Sequence, residues 1–191
     1  MISFRSLLYN RYADFTALSS FTSEASLLTG FSQPTLWHPA LDFTQIGRTF
    51  RLGARGVLSS TGTPTYLFKV RLGSTAMSAD NLAPPLGTII GASAALATTS
   101  GASITVWSLE LFLTLTAAGI GSGKATITSS GTVLSAGLAT VGDLAPTNGS
   151  ATWTTTLDSS VDNFFQIGVV CSASSSSNTI QLKHLELEAL N

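Results

Sequence analysis

Alternation of apolar and polar residues at every second position dominates the chain from Thr49 onward. A period of two places the apolar side chains on one face of an extended strand, so it predicts half-buried β-strands. The clearest run carries Trp107, Leu109, Leu111 and Leu113 at alternate positions. Clusters of Gly, Pro, Ser and Asn separate the runs, as is typical of turns. Because this part of the chain shows no helical period, we predict an all-β fold.

The alternating runs predict about eight strands, a number typical of a two-sheet β-sandwich resembling a jelly roll. The runs cover residues 50–58, 66–72, 87–98, 104–116, 124–135, 151–157, 164–173 and 179–190. The first two runs flank a short segment with Gly and Pro, which predicts a β-hairpin. Gly131 indicates a bulge. The alternation changes phase at Lys183 and His184, which predicts a bulge or a bend between sheets.

Residues 1–48 lack this alternation and are rich in aromatic residues. We therefore interpret residues 1–48 as an N-terminal arm or lead-in segment that lies on another surface. Residues 49–191 would form the β-sandwich domain. Aromatic and Arg side chains are frequent anchors of protein interfaces. The expected assembly contacts of the arm are Arg5, Leu8, Tyr9, Arg11, Tyr12 and Phe15.

The charge content restricts the possible partners. Only 10% of the residues are charged, against about 25% in an ordinary soluble domain. We infer that other subunits cover much of the surface. The net charge of −1 gives no basic field for phosphates, so we expect no nucleic-acid partner. We also expect no secretory signal and no membrane span, because every apolar stretch is too short.

Two patterns resemble nucleotide or catalytic motifs, and neither is complete. Residues 119–126 resemble a phosphate-binding loop, but Ala118 and Ala125 stand where Gly and Ser or Thr are needed. His38 and His184 are the only histidines, and no nucleophile-elbow pattern surrounds any Ser. The lone Cys171 lies in an apolar run, which favours a small buried side chain. We assign no catalytic residue and no cofactor.

Acidic and amide side chains offer weak candidates for a metal or a carbohydrate-cleaving site. Asp158, Asp162 and Asn163 share one loop and could bind Ca²⁺, but these residues more often form turns. Glu186 and Glu188 share a strand face, as glycosidase carboxylates can, but a solvated face is the simpler interpretation. A glycosylation sequon at residues 148–150 is first of all an Asn-Gly turn. We therefore expect no metal site and no enzyme activity.

Several groups of residues resemble a recurrent family of bacteriophage virion proteins. They are residues 29–34, 47–65, 68–75, 107–111 and 173–185, which include the runs Gly47-Arg48-Thr49-Phe50-Arg51-Leu52 and Thr179-Ile180-Gln181-Leu182-Lys183-His184. Proteins with this pattern are similar to tailed-phage capsid decoration (cement) or fibre-type proteins. The resemblance implies a homotrimer that contacts the major capsid protein in the virion, after assembly in the host bacterial cytoplasm. It implies no catalytic residue.

Three functions remain open at this point. The first is a capsid decoration or cement protein. The second is a fibre or tail-associated module that recognises a host glycan, with Trp37, Trp107 and Trp153 available to stack on sugar rings. The alternation places Trp107 and Trp153 on strand faces that resemble core. The third is a polysaccharide hydrolase.

Overall fold

A computed structural model describes residues 6–29, 37–38, 45–74, 87–99, 101–118, 124–145, 154–158 and 160–190. Every regular element in these ranges is a β-strand, and the strands form two antiparallel sheets that pack as a sandwich. The predicted fold class is confirmed. In the same ranges no helix exists that could span a membrane.

The described strands are numbered here along the chain. They are β1 (Ser6–Tyr12), β2 (Leu18–Ser19), β3 (Ala25–Ser26), β4 (Trp37–His38), β5 (Thr49–Ser59), β6 (Thr65–Gly73), β7 (Thr88–Ala92), β8 (Leu96–Ala97), β9 (Thr105–Ala117), β10 (Lys124–Ser135), β11 (Gly142–Leu144), β12 (Thr154–Asp158), β13 (Asn163–Cys171) and β14 (Thr179–Ala189). The larger sheet has the order β1-β14-β5-β9-β10-β11, with β2 beside β14 and β12 beside β10. The smaller sheet has the order β3-β13-β6-β7, with β4 beside β13 and β8 beside β6.

The core lies between the two sheets and is built from the apolar positions of the alternating runs. Its largest fully buried side chains include Trp107, Tyr66, Phe50, Phe68 and Phe165. Trp107 of the larger sheet meets Phe68 of the smaller sheet with a ring-centroid separation of 5.4 Å. Tilted aromatic pairs at this distance stabilise a core beyond the area they bury. The predicted inward face of the Trp107 run is confirmed.

The predicted hairpin between the first two long strands is wrong, although both strands exist. β5 pairs with β14 and β9 in the larger sheet, whereas β6 pairs with β13 and β7 in the smaller sheet. Residues 60–64 therefore cross from one sheet to the other. The Thr61 amide in this crossover donates to Asn178 Oδ1 at 2.9 Å. β14 and β9 occupy both edges of β5, so β6 has no free edge of β5 to pair with.

The phase change in the last strand is a β-bulge. The register between β14 and β5 shifts between Leu182 and His184. Leu182 and Leu185 both point into the core despite their odd spacing. This confirms the bulge alternative. No bulge occurs at Gly131, which pairs in register with both neighbours, and the irregularity of β10 lies between Thr126 and Ile127.

Part of the predicted arm belongs to the larger sheet. β1 pairs with β14 from Ser6↔Ala189 to Tyr12↔His184, so it is a strand at the edge of that sheet. A bulge between Leu7 and Tyr9 interrupts the alternation, which is why period two was not visible in the sequence. Beyond β1, Phe15 is buried in the core.

Candidate functional site

The surface of the larger sheet that points away from the core collects polar, charged and some apolar side chains from six strands. We call it the outer face, and its members used below are Asn10, Tyr12, Arg51, Arg55, Val57, Val106, Glu110, Phe112, Leu134, Asp143, His184, Glu186 and Glu188. The antiparallel registers place them in rows across the sheet. Arg55, for example, lies between His184 of β14 and Ser108 of β9.

A guanidinium bound by three carboxylates lies near the centre of the outer face. Arg51 Nη1 donates to Glu186 Oε1 at 2.7 Å and to Glu188 Oε2 at 2.9 Å. Arg51 Nε donates to Glu110 Oε1. The hydrogen bond to Glu110 raises the pKa of Arg51 above its usual value; burial opposes this, and Glu188 and Glu186 add to it. The Arg51 side chain thus links β5 to β9 and β14. Because three carboxylates share one guanidinium, the cluster has a net negative charge.

The absence of a side chain at Gly53 makes room for this cluster. Gly53 pairs with Glu186 on one side and with Glu110 on the other. A Cβ at this position would lie 2.6 Å from Glu186 Oε1 and 2.8 Å from its Cγ. Glu186 therefore lies over the Gly53 backbone, and this placement brings its carboxylate to Arg51. The candidate carboxylate pair Glu186 and Glu188 is in this way held by one guanidinium.

A depression of about 390 Å³ lies beside this cluster, towards the β1 edge of the sheet. Its lining consists of Tyr12, Arg55, Gly56, Val57, Val106, Lys183 and His184. Tyr12 is 83% exposed, and its ring centroid lies 6.3 Å from that of the His184 ring. His184 Nε2 lies 3.0 Å from Asn10 Oδ1. Every charged residue in the lining is basic, and we call this the basic depression.

A second depression of about 410 Å³ lies towards the β11 edge. It is lined by Glu110, Phe112, Ser130, Gly131, Thr132 and Asp143. Its charged residues are both acidic, and we call it the acidic depression. Two depressions of nearly equal size and opposite charge thus share the outer face.

Apolar side chains are exposed at the end of the outer face where Val106 lies. Val106 is 66% exposed, Leu134 is 47% exposed and Val141 is 59% exposed. These three residues line a further depression of about 420 Å³. Contiguous apolar surface of this kind commonly marks a site where another molecule binds.

The predicted assembly contacts occupy different environments. Tyr12 and Leu8 are exposed, Tyr9 and Arg11 are half-buried, and Phe15 is only 3% exposed. Tyr9 packs against the core, and burial raises its pKa. Arg5 lies outside the described residues. Of this set, only Tyr12 lies on the outer face in a depression.

The other candidates from the sequence form turns or strands where the structure describes them. Asn163 Nδ2 donates to the carbonyl oxygens of Asp158 and Val161, at 2.8 and 2.9 Å, so it closes the turn. The described residues contain no group of three His, Cys, Asp or Glu side chains that could hold a metal ion. The strand after the phosphate-loop-like segment is confirmed as β10. Residues 119–123 and 148–150 lie outside the described ranges.

The tryptophans do not offer a described sugar-binding platform. Trp107 is fully buried, and its Nε1 donates to the Val57 carbonyl oxygen at 3.2 Å. The side chains of Trp37 and Trp153 lie outside the description. Sequence reasoning did not identify Arg55, Val106 or Asp143. Alternation marks Arg55 and Val106 as outward, whereas Asp143 lies outside every predicted run, and only strand order shows that the three share one face.

These observations define an antiparallel two-sheet sandwich with a mixed-charge, partly apolar outer face. No protein-family model matches the chain, and a search of curated proteins finds no match. Among solved structures, the chain is similar to the CBM2 module of the Lactobacillus casei BL23 phage J-1 evolved Dit. The TM-score is 0.34 and the identity 8%, over 100% of this chain and 98% of that one. A similarity of this degree identifies neither a family nor a function.

Proposed function

We propose that the protein is a structural subunit of a bacteriophage particle, which decorates or cements the capsid as a homotrimer. The observation that carries the proposal is the exposed apolar surface of the outer face, in a chain with only 10% charged residues. Interfaces are depleted of charge at their centre and enriched in apolar and aromatic side chains. The phage particle as its location rests on the sequence resemblance, and the major capsid protein is the partner that this resemblance implies.

The proposal assigns no catalytic role to the chain. Glu186 and Glu188, the candidate acid and base, share the Arg51 guanidinium. Arg51 thereby gives these side chains a structural task on the outer face.

The N-terminal contacts of the assembly are assigned to the exposed side chains of β1. Leu8 is 41% exposed and Tyr12 is 83% exposed, so both are available to a neighbouring subunit. Phe15 and Leu18 lie in the core, so deleting the N-terminal segment would remove core side chains together with surface ones. Point variants of Leu8 and Tyr12 therefore test the contact without this complication.

The test has two measurements on the full chain. Sedimentation velocity gives the mass of the purified protein, and we expect three times the chain mass of 19.8 kDa. Co-sedimentation with phage capsids lacking the protein gives particle binding, and Leu8→Ser with Tyr12→Ser should weaken it. A monomeric chain that binds no capsid would refute the proposal.

A second function is favoured by one observation. Tyr12 presents an exposed ring beside Arg55 and His184 in the basic depression. Sugar rings stack on exposed aromatic side chains, and neighbouring polar groups fix their orientation. A host-recognition module would therefore bind glycan through Tyr12. Binding on a glycan array that is lost in Tyr12→Ser would support this function, and a blank array would exclude it for the glycans displayed.

A further inference from the structure

Two opposite charges on the outer face have no ion-pair partner within the described chain. Arg55 is exposed on β5, and no described carboxylate lies within ion-pair distance of it. Asp143 is exposed on β11, and no described cation pairs with it. Lys183 beside Arg55 is bound to Asp14 at 2.7 Å. Among the described side chains, the face therefore carries a positive charge at Arg55 and a negative charge at Asp143 that have no ion-pair partner.

Each free charge lies in a depression that also offers apolar surface. Arg55 shares the basic depression with Val57, Val106 and the Tyr12 ring. Asp143 shares the acidic depression with Phe112 and with Glu110, whose side chain is 42% exposed. An ion pair that is partly desolvated by apolar neighbours is screened less by salt than one in open solvent.

The strand order gives the distance between the two free charges, Arg55 and Asp143. Arg55 is on β5 and Asp143 is on β11, with β9 and β10 between them. Three steps of about 4.8 Å across the sheet, combined with an offset of two residues of about 3.3 Å each along the strands, give a separation of roughly 16 Å between the two positions. A copy of the chain turned about a two-fold axis midway between them would present Asp143 to Arg55, and Arg55 to Asp143.

We propose that the outer face binds a second copy of this chain, with Arg55 of each copy paired to Asp143 of the other. This inference rests on the proposed self-assembly and adds a second contact to it, because a two-fold contact between identical faces cannot itself close a trimer. Val106 and the other exposed apolar side chains of the face become buried in the contact. A face-to-face contact of this kind can join two subunits of separate trimers as well as two single chains.

The area of the contact is sufficient, although only part of the face takes part in it. A two-fold axis midway between Arg55 and Asp143 places β5, β9, β10 and β11 of one copy on the same four strands of the other. Four strands at about 4.8 Å give a width of roughly 19 Å, and the 11 residues of β5 at about 3.3 Å give a length of roughly 36 Å. Each copy therefore contributes at most about 700 Å², or about 1,400 Å² in total, which lies within the range of about 1,200–2,000 Å² for specific protein interfaces.

The mixed charge of the face favours a second copy over other partners. A nucleic-acid backbone would meet Asp143 and the carboxylates around Arg51 as well as Arg55, and like charges oppose binding. A neutral glycan would leave both free charges unpaired, and burying an unpaired charge is costly. A second copy satisfies both charges at once.

The test is a charge exchange followed by sedimentation velocity over a range of protein concentrations. Arg55→Asp and Asp143→Arg should each weaken self-association at least about tenfold, because each places like charges together. The double variant restores opposite charges and should recover much of the lost association. Thr63→Asp, on an exposed crossover residue, is the control for a change in net charge, and it should leave association unchanged.

The outcomes separate this inference from the proposed function. Association that is unchanged in both single variants would overturn the assigned face and leave the structural function standing. A monomeric wild type that still binds capsids would overturn the homotypic contact. Glycan binding that is lost in Arg55→Asp, without any self-association in the wild type, would assign the face to a glycan instead. A wild type that binds neither itself nor capsids would refute both proposals.

Discussion

The outward surfaces of the two sheets differ in how far the chain itself covers them. On the smaller sheet, Gln166 is only 1% exposed, and the side chains of Lys69 and Arg71 are 21% and 17% exposed. Since a single chain is present, this shielding comes from the chain itself. On the larger sheet, Val106 and Leu134 stay 66% and 47% exposed. These outward side chains of the smaller sheet are thus largely covered by the chain itself, whereas the larger sheet exposes apolar side chains on its outward side.

The ionic clusters of the two sheets show the same contrast. On the smaller sheet, Glu24 accepts from Lys69 Nζ at 2.8 Å and from Arg71 Nε at 2.9 Å. This contact fixes the segment before β3 to β6. On the larger sheet, Arg51 joins three strands that are already neighbours in the sheet. The first cluster attaches a segment outside the long strands to the smaller sheet, and the second leaves exposed carboxylate at Glu110.

The largest expected effect contrasts the two faces of β9. Trp107 is fully buried, so Trp107→Ala should lower the free energy of unfolding by about 3–5 kcal/mol. Its neighbour Val106 is exposed, and Val106→Ala should change it by less than about 0.5 kcal/mol. Denaturant unfolding of both variants measures the difference. Similar losses in the two variants would mean that Val106 is part of the core.

The next effect compares the two ionic clusters. The side chain of Glu24 is 9% exposed, and Glu24→Gln would remove the negative charge that Lys69 and Arg71 share and replace one of its two acceptor oxygens by an amide donor. We expect a loss of about 1.5–3 kcal/mol, as for other hydrogen bonds to charged groups. Glu110 is 42% exposed, so Glu110→Gln should cost about 0–1 kcal/mol. Urea unfolding in the same buffer measures both, and an equal loss would remove the contrast between the clusters.

The direction of each side chain could be predicted from the sequence, because alternation is a local property. It placed Trp107 and Leu109 inward, and the phase change at Lys183 predicted the bulge of β14. Which strands are neighbours could not be predicted in the same way. Residues 60–64 are short enough for a hairpin and also long enough for a crossover. The choice depends on β14, which pairs with β5 from the far end of the chain.

The candidate site depends on this long-range information. Alternation identifies Arg55 as an outward residue, but Asp143 belongs to β11, which lies outside the predicted runs, and outward positions exist on both sheets. They share a face because β9 and β10 lie between their strands. The β1 bulge between Leu7 and Tyr9 likewise hid an edge strand, so its residues were interpreted as an arm. The sequence therefore supports the fold class much better than the site.

A smaller effect on stability is expected at acid pH, where the contribution of the Glu24 cluster is lost. Burial raises the pKa of Glu24, but the hydrogen bonds from Arg71 and Lys69 outweigh it and hold the pKa below the usual 4.5. A carboxyl group with a lowered pKa in the folded state stabilises the fold fully above its unfolded value. That contribution is lost as the pH falls through the folded pKa. The midpoint temperature of thermal unfolding should therefore fall more steeply between about pH 6 and about pH 3 in the wild type than in Glu24→Gln. Parallel declines would show that Glu24 is not responsible.

The smallest expected effect on stability is at Tyr12, where the contrast between the sheets is sharpest. Its side chain is highly exposed on the outer face, so Tyr12→Ser should change the free energy of unfolding by less than about 0.5 kcal/mol. Tyr9→Ser, on the same strand but packed against the core, should cost clearly more. If the outer face is completed by another molecule, Tyr12→Ser should nevertheless weaken self-association or capsid binding, because its ring lies in the basic depression. If Tyr12→Ser is as stable and associates as strongly as the wild type, this edge of the face is open to solvent. The docking surface would then have to lie nearer to Val106 and Leu134.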